Sequence, residues 1–323
     1  MQGMRCNLFA VVLFYLSLQL CMSIWVLEGS NGGDQGSGGT DQVRLQGKLS
    51  PKVGGPLDFR LYDSDNKWKP KKPNEHKLCL IVAFRESKDP KNNGKGRQVQ
   101  LDNFIIEMKM QMEKRNVDYT LIVAEQEEGL LFNKGATFNA GFLMSYDKCD
   151  YSIFHDVDMI PQSMGNTYEY PQPNPIHLVG SSQHWKMTRE HAGGALSMNH
   201  GQFLNVGGYS NSFWGWGFED NDIAHRIAGA GYTFTRLSEE VGNYLVFSHP
   251  HRGDENFMKD DQTKVSEGYS LLSKYGHVDH LSDGLRTLNG TLLEVKHDTP
   301  SYFHFVYRPH NRKNLLKEEI FHP

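Results

Sequence analysis

Apolar positions along this chain fall into runs of different length and rhythm. Leu8 to Leu27 is an unbroken run without a charge, matching the ~20 residues a helix needs to cross a bilayer core. Leu78 to Phe84 (LCLIVAF) is shorter and nearly all apolar, as for a strand covered on both faces of a parallel sheet. From Gln98 to Arg115, Leu101, Ile105, Met108 and Met112 recur at helical spacing, which predicts a helix with its methionines toward the core. Tyr119 to Ala124 (YTLIVA) returns to the strand pattern and completes a βαβ unit. Asn133 to Tyr146 reads as a second helix, and Tyr151 to His155 as a third strand that stops at Asp156. The alternation predicts an α/β fold with a doubly wound, mostly parallel sheet. In open sheets of that kind, ligands bind outside the carboxyl ends of the strands.

The N-terminal run ends in bulky Trp25, Val26 and Leu27 instead of a small-residue cleavage site, so it is expected to be an uncleaved signal anchor. Arg5 precedes it, and Glu28 and Asp34 follow. The positive-inside rule then puts residues 1–7 in the cytosol and everything after the anchor (8–27) in the lumen. Glu28 to Thr40 is Gly/Ser-rich and cannot bury enough apolar surface to offset its ordering entropy. With the Pro/Lys stretch Trp68 to Pro73, it predicts a flexible stem over 28–74 and a folded domain over 75–323 that begins near His76.

Lys and Arg number 34 against 38 Asp and Glu, for a formal net charge of −4. No basic field is available for a phosphate backbone, so nucleic acid is excluded as a partner. Cys79 and Cys149 are the cysteines of the folded part; a disulfide in an oxidising lumen and a pair of buried thiols both suit their apolar surroundings. The sequon Asn289-Gly-Thr291 fits a luminal chain.

The polar chemistry gathers in three places. His155-Asp156-Val157-Asp158-Met159-Ile160-Pro161 carries two carboxylates at i and i+2, which in an extended segment point to one side, with Val157 toward the core and Pro161 ending the strand bonding. Ser248-His249-Pro250-His251 offers two imidazoles at the same spacing, ligands suited to a borderline divalent ion. Phe213 to Asp222 (FWGWGFEDND) runs into a helix that stops at Gly229 and Gly231. One of its acids can serve as a cap or face the helix dipole. The tryptophans set between glycines offer flat faces for a sugar, and a carboxylate beside them can take a proton from a hydroxyl.

HDVDMIP, the GGALSM stretch from Gly193, SNSFWGWGFEDND and HPH occur in the order found in the β-1,4-galactosyltransferase family. The chain resembles that family from about His76 to Asp261, and the HxH pair, Gly208 to Phe213 and Lys259 to Gln262 resemble its xylosylprotein branch most. The resemblance implies a GT-A fold, a Golgi type II membrane protein, UDP-galactose as donor, manganese as cofactor and inversion at the anomeric carbon. It implies Asp158, His249 and His251 as metal ligands, and Asp220, beside Glu219, as the catalytic base. Phe84, Arg85, Phe132, Lys134, Asp156, Gly193, Gly194 and Trp216 would line the nucleotide-sugar, and the acceptor would be xylose or another glycan or glycoprotein sugar. Ala83 stands for the usual proline, Lys134 for an arginine and Asn221 for an aspartate. His191 stands where the family has its donor-gating tyrosine, which leaves another UDP-sugar such as UDP-N-acetylgalactosamine open as donor. A non-catalytic sugar-binding protein is the alternative outside enzymology. From about Tyr269 onward the chain has no counterpart in the resemblance and is expected as an extension.

Overall fold

The computed structural model describes residues 52–58, 76–86, 96–182, 191–215, 217–233, 235–247 and 282–310. All belong to one compact unit, Val43–Pro323. The expected signal anchor lies outside the described residues, among which no helix is long and apolar enough to cross a membrane. In chain order the elements are β1 (Pro56–Asp58), β2 (Leu78–Phe84), α1 (Gln98–Arg115), β3 (Tyr119–Gln126), α2 (Lys134–Ser145), β4 (Tyr151–His155) and β5 (Met159–Pro161). There follow β6 (Ile176–His177), β7 (Ser181–Ser182), β8 (Ala195–Asn199), α3 (His200–Asn205), α4 (Glu219–Gly229), β9 (Thr235–Arg236), β10 (Asn243–Val246), β11 (Asn289–Asp298) and β12 (Tyr302–Pro309).

The alternation of side chains along β2 divides the core. Leu78, Leu80, Val82 and Phe84 pack with Leu101, Phe104, Met108 and Met112 of α1. Cys79, Ile81 and Ala83 face the other way, toward Phe138 and Phe142 of α2 and Ile223 and Ile227 of α4. Helices therefore cover both faces, as predicted, although Phe104 takes a buried place on α1 where Ile105 is only partly covered. A disulfide joins Cys79 to Cys149, with Cα atoms 5.5 Å apart, and ties β2 to the entry of β4.

The sheet is mixed, which corrects the mostly parallel expectation. Its order is β1-β11-β12-β3-β2-β4-β8-β6-β9. β12, β3, β2 and β4 run parallel, whereas β1, β11 and β8 pair antiparallel with their neighbours. For one of these pairs the cause is local: β11 and β12 are joined by a tight turn, Thr299 N to Tyr302 O at 2.9 Å, and a short connection allows only antiparallel pairing. A second sheet, β5-β10-β7, stands at the end of β4.

Two boundaries also move. The stretch after about 269, expected as an extension, supplies β11 and β12 to the main sheet, with Phe305 and Tyr307 buried in the core. Within the segment expected as flexible stem, β1 pairs with β11, and Leu57 is fully buried. Isolated three-residue strands carry too little pattern to be read from sequence.

Candidate active site

β4 ends at His155, whose imidazole is locked by a buried polar chain. His155 Nε2 lies 2.9 Å from the Tyr168 hydroxyl, which is 2.9 Å from the Tyr244 hydroxyl, which accepts from Asn166 Nδ2 at 2.9 Å. Burial pushes the His155 pKa down to about 4, so a neutral ring supports the strand end. The next residues turn instead of running extended as predicted: Asp156 N donates to Gly194 O at 2.7 Å, and Met159 N to Asp156 O at 3.4 Å. Val157 is buried, as expected. Pro161 does not end the bonding, because β5 pairs with β10 and Gln162 N donates to Asn243 O at 2.9 Å. With the turn, the two carboxylates meet different cations: Asp156 Oδ1 lies 3.4 Å from Lys134 Nζ, and Asp158 Oδ2 3.7 Å from Arg97 Nη2.

Lys134 is the first residue of α2, which is capped by the Asn133 side chain accepting from Ala136 N. Its ammonium also lies 2.8 Å from Glu219 Oε1 and 2.9 Å from Asp220 Oδ2. These acids open α4, where the helix dipole favours negative charge. The cap position is Phe218, which makes no side-chain cap bond; Asp222 instead pairs with buried Arg226 at 2.6 Å. Three carboxylates thus share one ammonium. Burial alone would lower the Lys134 pKa, but Asp156, Asp220 and Glu219 together hold it well above the ordinary value. The surplus of acid has the opposite result on Asp220: burial, reinforced by Glu219 and Asp156 and opposed by Lys134, raises it to about 7.

The glycine pair forms the wall beside that acid. A Cβ at Gly193 would collide with the Asp220 carboxylate, whose Cγ would be 2.7 Å away, and would lie 2.7 Å from His191 Nε2. Ala192 N donates to Asp220 O at 3.2 Å, and His177 Nε2 to Gly193 O at 2.7 Å. Gly194, at φ 89°, turns the chain where a side chain would meet Met159 Sδ at 2.8 Å. Both glycines make room for protein groups here. His191 Nε2 stands 4.0 Å from Asp220 Oδ2; burial, with the Lys134 charge, lowers its pKa to about 4.

At the end of β2, Phe84 is 1 % exposed and belongs to the core beneath the cleft, so its ring does not lie open to a nucleotide. Arg85 donates to the Leu130 carbonyl and sits over the Phe132 ring at 5.8 Å. The Phe132 carbonyl accepts from Gly215 N at 2.7 Å, linking this corner to the aromatic-glycine segment. Trp216, His249 and His251 lie outside the described residues. Phe247, just ahead of the histidine pair, donates its N–H to Asp158 O at 2.8 Å. Among the described residues, no group of three or more His, Cys, Asp or Glu is arranged to hold a metal. Sequence reading missed Arg97, and it assigned Lys134 to the nucleotide without its acid partners. Their signal is weak, since a lone cation near a helix start is common.

Known proteins match this arrangement over most of the chain. Residues 58–171 match the family described as the N-terminal region of glycosyl transferase group 7, and residues 174–250 the one described as the N-terminal domain of galactosyltransferase. Human β-1,4-galactosyltransferase 7 is 30% identical over 267 residues, covering 81% of this chain and 75% of the human one. The chain belongs to the β-1,4-galactosyltransferase family. This glycosyltransferase is also similar to β-1,4-galactosyltransferase 7 of Drosophila melanogaster, 33% identical over 223 residues, covering 68% of this chain and 64% of that one. The solved catalytic domain of Drosophila β-1,4-galactosyltransferase 7 in complex with xylobiose superimposes with a TM-score of 0.60 at 26% identity, over 74% of this chain and 97% of that one. A mutant of that enzyme in complex with manganese, UDP-Gal and xylobiose gives 0.59 at 24% identity, with the same coverage, and shares the GT-A fold.

Proposed function

We propose that this transferase moves galactose from UDP-galactose to a hydroxyl of a xylose-bearing acceptor, with inversion and a β-1,4 linkage. It would act in the Golgi lumen as a single-pass type II membrane protein held by Leu8 to Leu27. Relationship to β-1,4-galactosyltransferase 7 supports donor and acceptor, and the charge-free N-terminal run supports the anchor. The observation that carries the chemistry is the Asp220 carboxylate, set between the Gly193 backbone and Lys134 Nζ at 2.9 Å. A carboxyl near pKa 7 is matched to accept a proton at neutral pH. The acceptor hydroxyl gives its proton to Asp220 as its oxygen forms the bond to the anomeric carbon, and UDP leaves with the electron pair of the broken bond. Glu219 and Lys134 hold Asp220 in place and set its charge.

Asp158, His249 and His251 are the residues proposed to hold manganese, with Asp156, Arg85, Phe132 and Trp216 toward the nucleotide. The donor set fits: Asp158 already faces a positive group, Arg97, and carboxylate with imidazole suits such an ion. His249 follows Phe247 by two positions, so at most ~7 Å of chain separates it from the residue bonded to Asp158. When bound, the ion supplies charge neutralisation for the departing diphosphate. His191 beside Asp220 favours a second reading, in which another UDP-sugar such as UDP-N-acetylgalactosamine is the donor. Purified protein assayed with several UDP-sugars and simple xylosides, with and without manganese, tests both. Preference for another donor would move the assignment to the second reading, and absence of transfer from every donor would overturn both.

A further inference from the structure

The transfer chemistry uses Lys134, Glu219, Asp220 and Asp156, but leaves unexplained a second polar cluster behind α4, buried at Arg226 and Asp222 and open at its Ser212 and Thr287 rim. Arg226 is 1 % exposed. Besides Asp222, its guanidinium donates to Asp283 O at 2.9 Å and Gly208 O at 3.3 Å. The Asp283 carboxylate accepts from Ser210 Oγ, from Asn211 N at 3.2 Å, from Ser212 Oγ at 3.0 Å and from Thr287 Oγ1 at 3.3 Å. Asn211 Nδ2 donates to Gly284 O at 2.7 Å, and Leu285 N to Gly207 O at 2.7 Å. Gly284 is required by closeness, since a Cβ there would collide with the Gly207 carbonyl. The turn at 283–287 is therefore clipped onto residues 207–212 by side chains and backbone together.

What the clip holds is the entry to the aromatic-glycine segment. Ser212 leads directly to buried Phe213 and partly buried Trp214. Gly215 is bonded to Phe132, and the chain then passes Gly217 and Phe218, both at positive φ, into Glu219 and Asp220. Two left-handed residues next to each other make that stretch depend on its anchors for position. We propose that Asp283 is a positioning residue for acceptor recognition. Its carboxylate fixes the start of this segment, and its backbone carbonyl meets Arg226 of α4, whose guanidinium lies 3.9 Å from the carboxylate. It touches neither substrate. Of its described partners, Ser210, Asn211 and Ser212 lead into that segment and Arg226 belongs to α4, while Thr287 braces the turn itself. The proposed metal end instead hangs on β4 and β10 through Asp158 and Phe247. Loss of the clip thus weakens the acceptor, whose hydroxyl meets Asp220 at the end of this segment, more than the nucleotide, which shares Phe132 and Trp216 with the segment but keeps Asp156, Arg85 and the metal end.

The inference rests on the proposed xylose acceptor, and its test separates the two. Asp283→Asn and Ser212→Ala are compared with wild type for xylobiose affinity in the presence of UDP and manganese, for UDP affinity by calorimetry, and for amide hydrogen exchange over residues 211–215. Asp283→Asn is expected to weaken xylobiose about tenfold, the scale of one or two charge-assisted hydrogen bonds. Its UDP affinity should fall clearly less than its xylobiose affinity, with faster exchange at 211–215. Ser212→Ala should move xylobiose in the same direction by about threefold, keeping the wild-type melting temperature. A folded Asp283→Asn that binds xylobiose as wild type does overturns the proposal, as does equal weakening of xylobiose and UDP. If the wild type takes no xylobiose, the proposed acceptor fails, and unchanged exchange in Asp283→Asn then overturns the clip on its own.

Discussion

Replacing Asp220 by Asn separates the chemistry of the acid cluster from its cost. Asp220 is raised from 3.8 to about 7 in the folded protein, first by burial and then by Glu219 and Asp156 against Lys134. Between those values the folded state keeps a proton that the unfolded chain has released, so stability falls as pH rises from about 4 to about 7 and levels off above. A displacement of that size sets a ceiling of about 4 kcal/mol. Lys134 loses one of its three anionic partners in the variant, which offsets part of the gain and leaves about 2 kcal/mol net. Asp220→Asn should therefore be more stable than wild type at pH 8, and the difference should vanish near pH 4. Galactose transfer should be lost while UDP binding persists. Urea unfolding at pH 4.5 and pH 8, run beside a transfer assay, reads all of this. A variant less stable than wild type at pH 8, a gain that does not vary with pH, or full transfer activity would refute the reasoning.

Lys134→Met should cost about 3 kcal/mol at pH 8, because three carboxylates lose their common ammonium; the loss should shrink at pH 5 as Asp220 and Asp156, both raised by burial, take up protons, and a pH-independent loss in urea melts counts against the shared-charge account. Gly193→Ala pushes a methyl group into the Asp220 carboxylate, so kcat should collapse with about 1–3 kcal/mol of stability lost; a variant of normal kcat would place the base elsewhere. Removing the Cys79–Cys149 bridge, which spans 70 positions, should cost about 4 kcal/mol through the entropy of the unfolded chain, measured as a lower urea midpoint in the double Cys→Ala protein.

The elements with a local signal were legible. Predicted β2, α1 and β4 coincide with the observed spans, since an all-apolar run or a 3.6-residue rhythm needs no distant partner. β3 runs on to Gln126 because Glu125 and Gln126 pair with Val306 and Tyr307, a contact invisible to a short window. Asn133 and Tyr146, predicted inside the second helix, are its caps. β11 escaped notice because its second half, from Glu294 to Asp298, is exposed and charged, and only meeting β12 makes it a strand. In the site, the carboxylates were found by type and order, but the turn at Asp156–Asp158 and the gathering of residues 134, 156, 219 and 220 are tertiary facts. Charge pairing over such separations leaves no periodic trace along the chain.

β12 lies between β11 and β3, and its His304 meets Glu125 from 179 positions away. During synthesis, β3 must wait for that partner for about 10–35 s at the usual pace of translation. Until then it presents a raw parallel edge, the kind of surface that captures other strands. A chain truncated before Tyr302 is therefore expected to leave the β3 edge open to pairing with other strands.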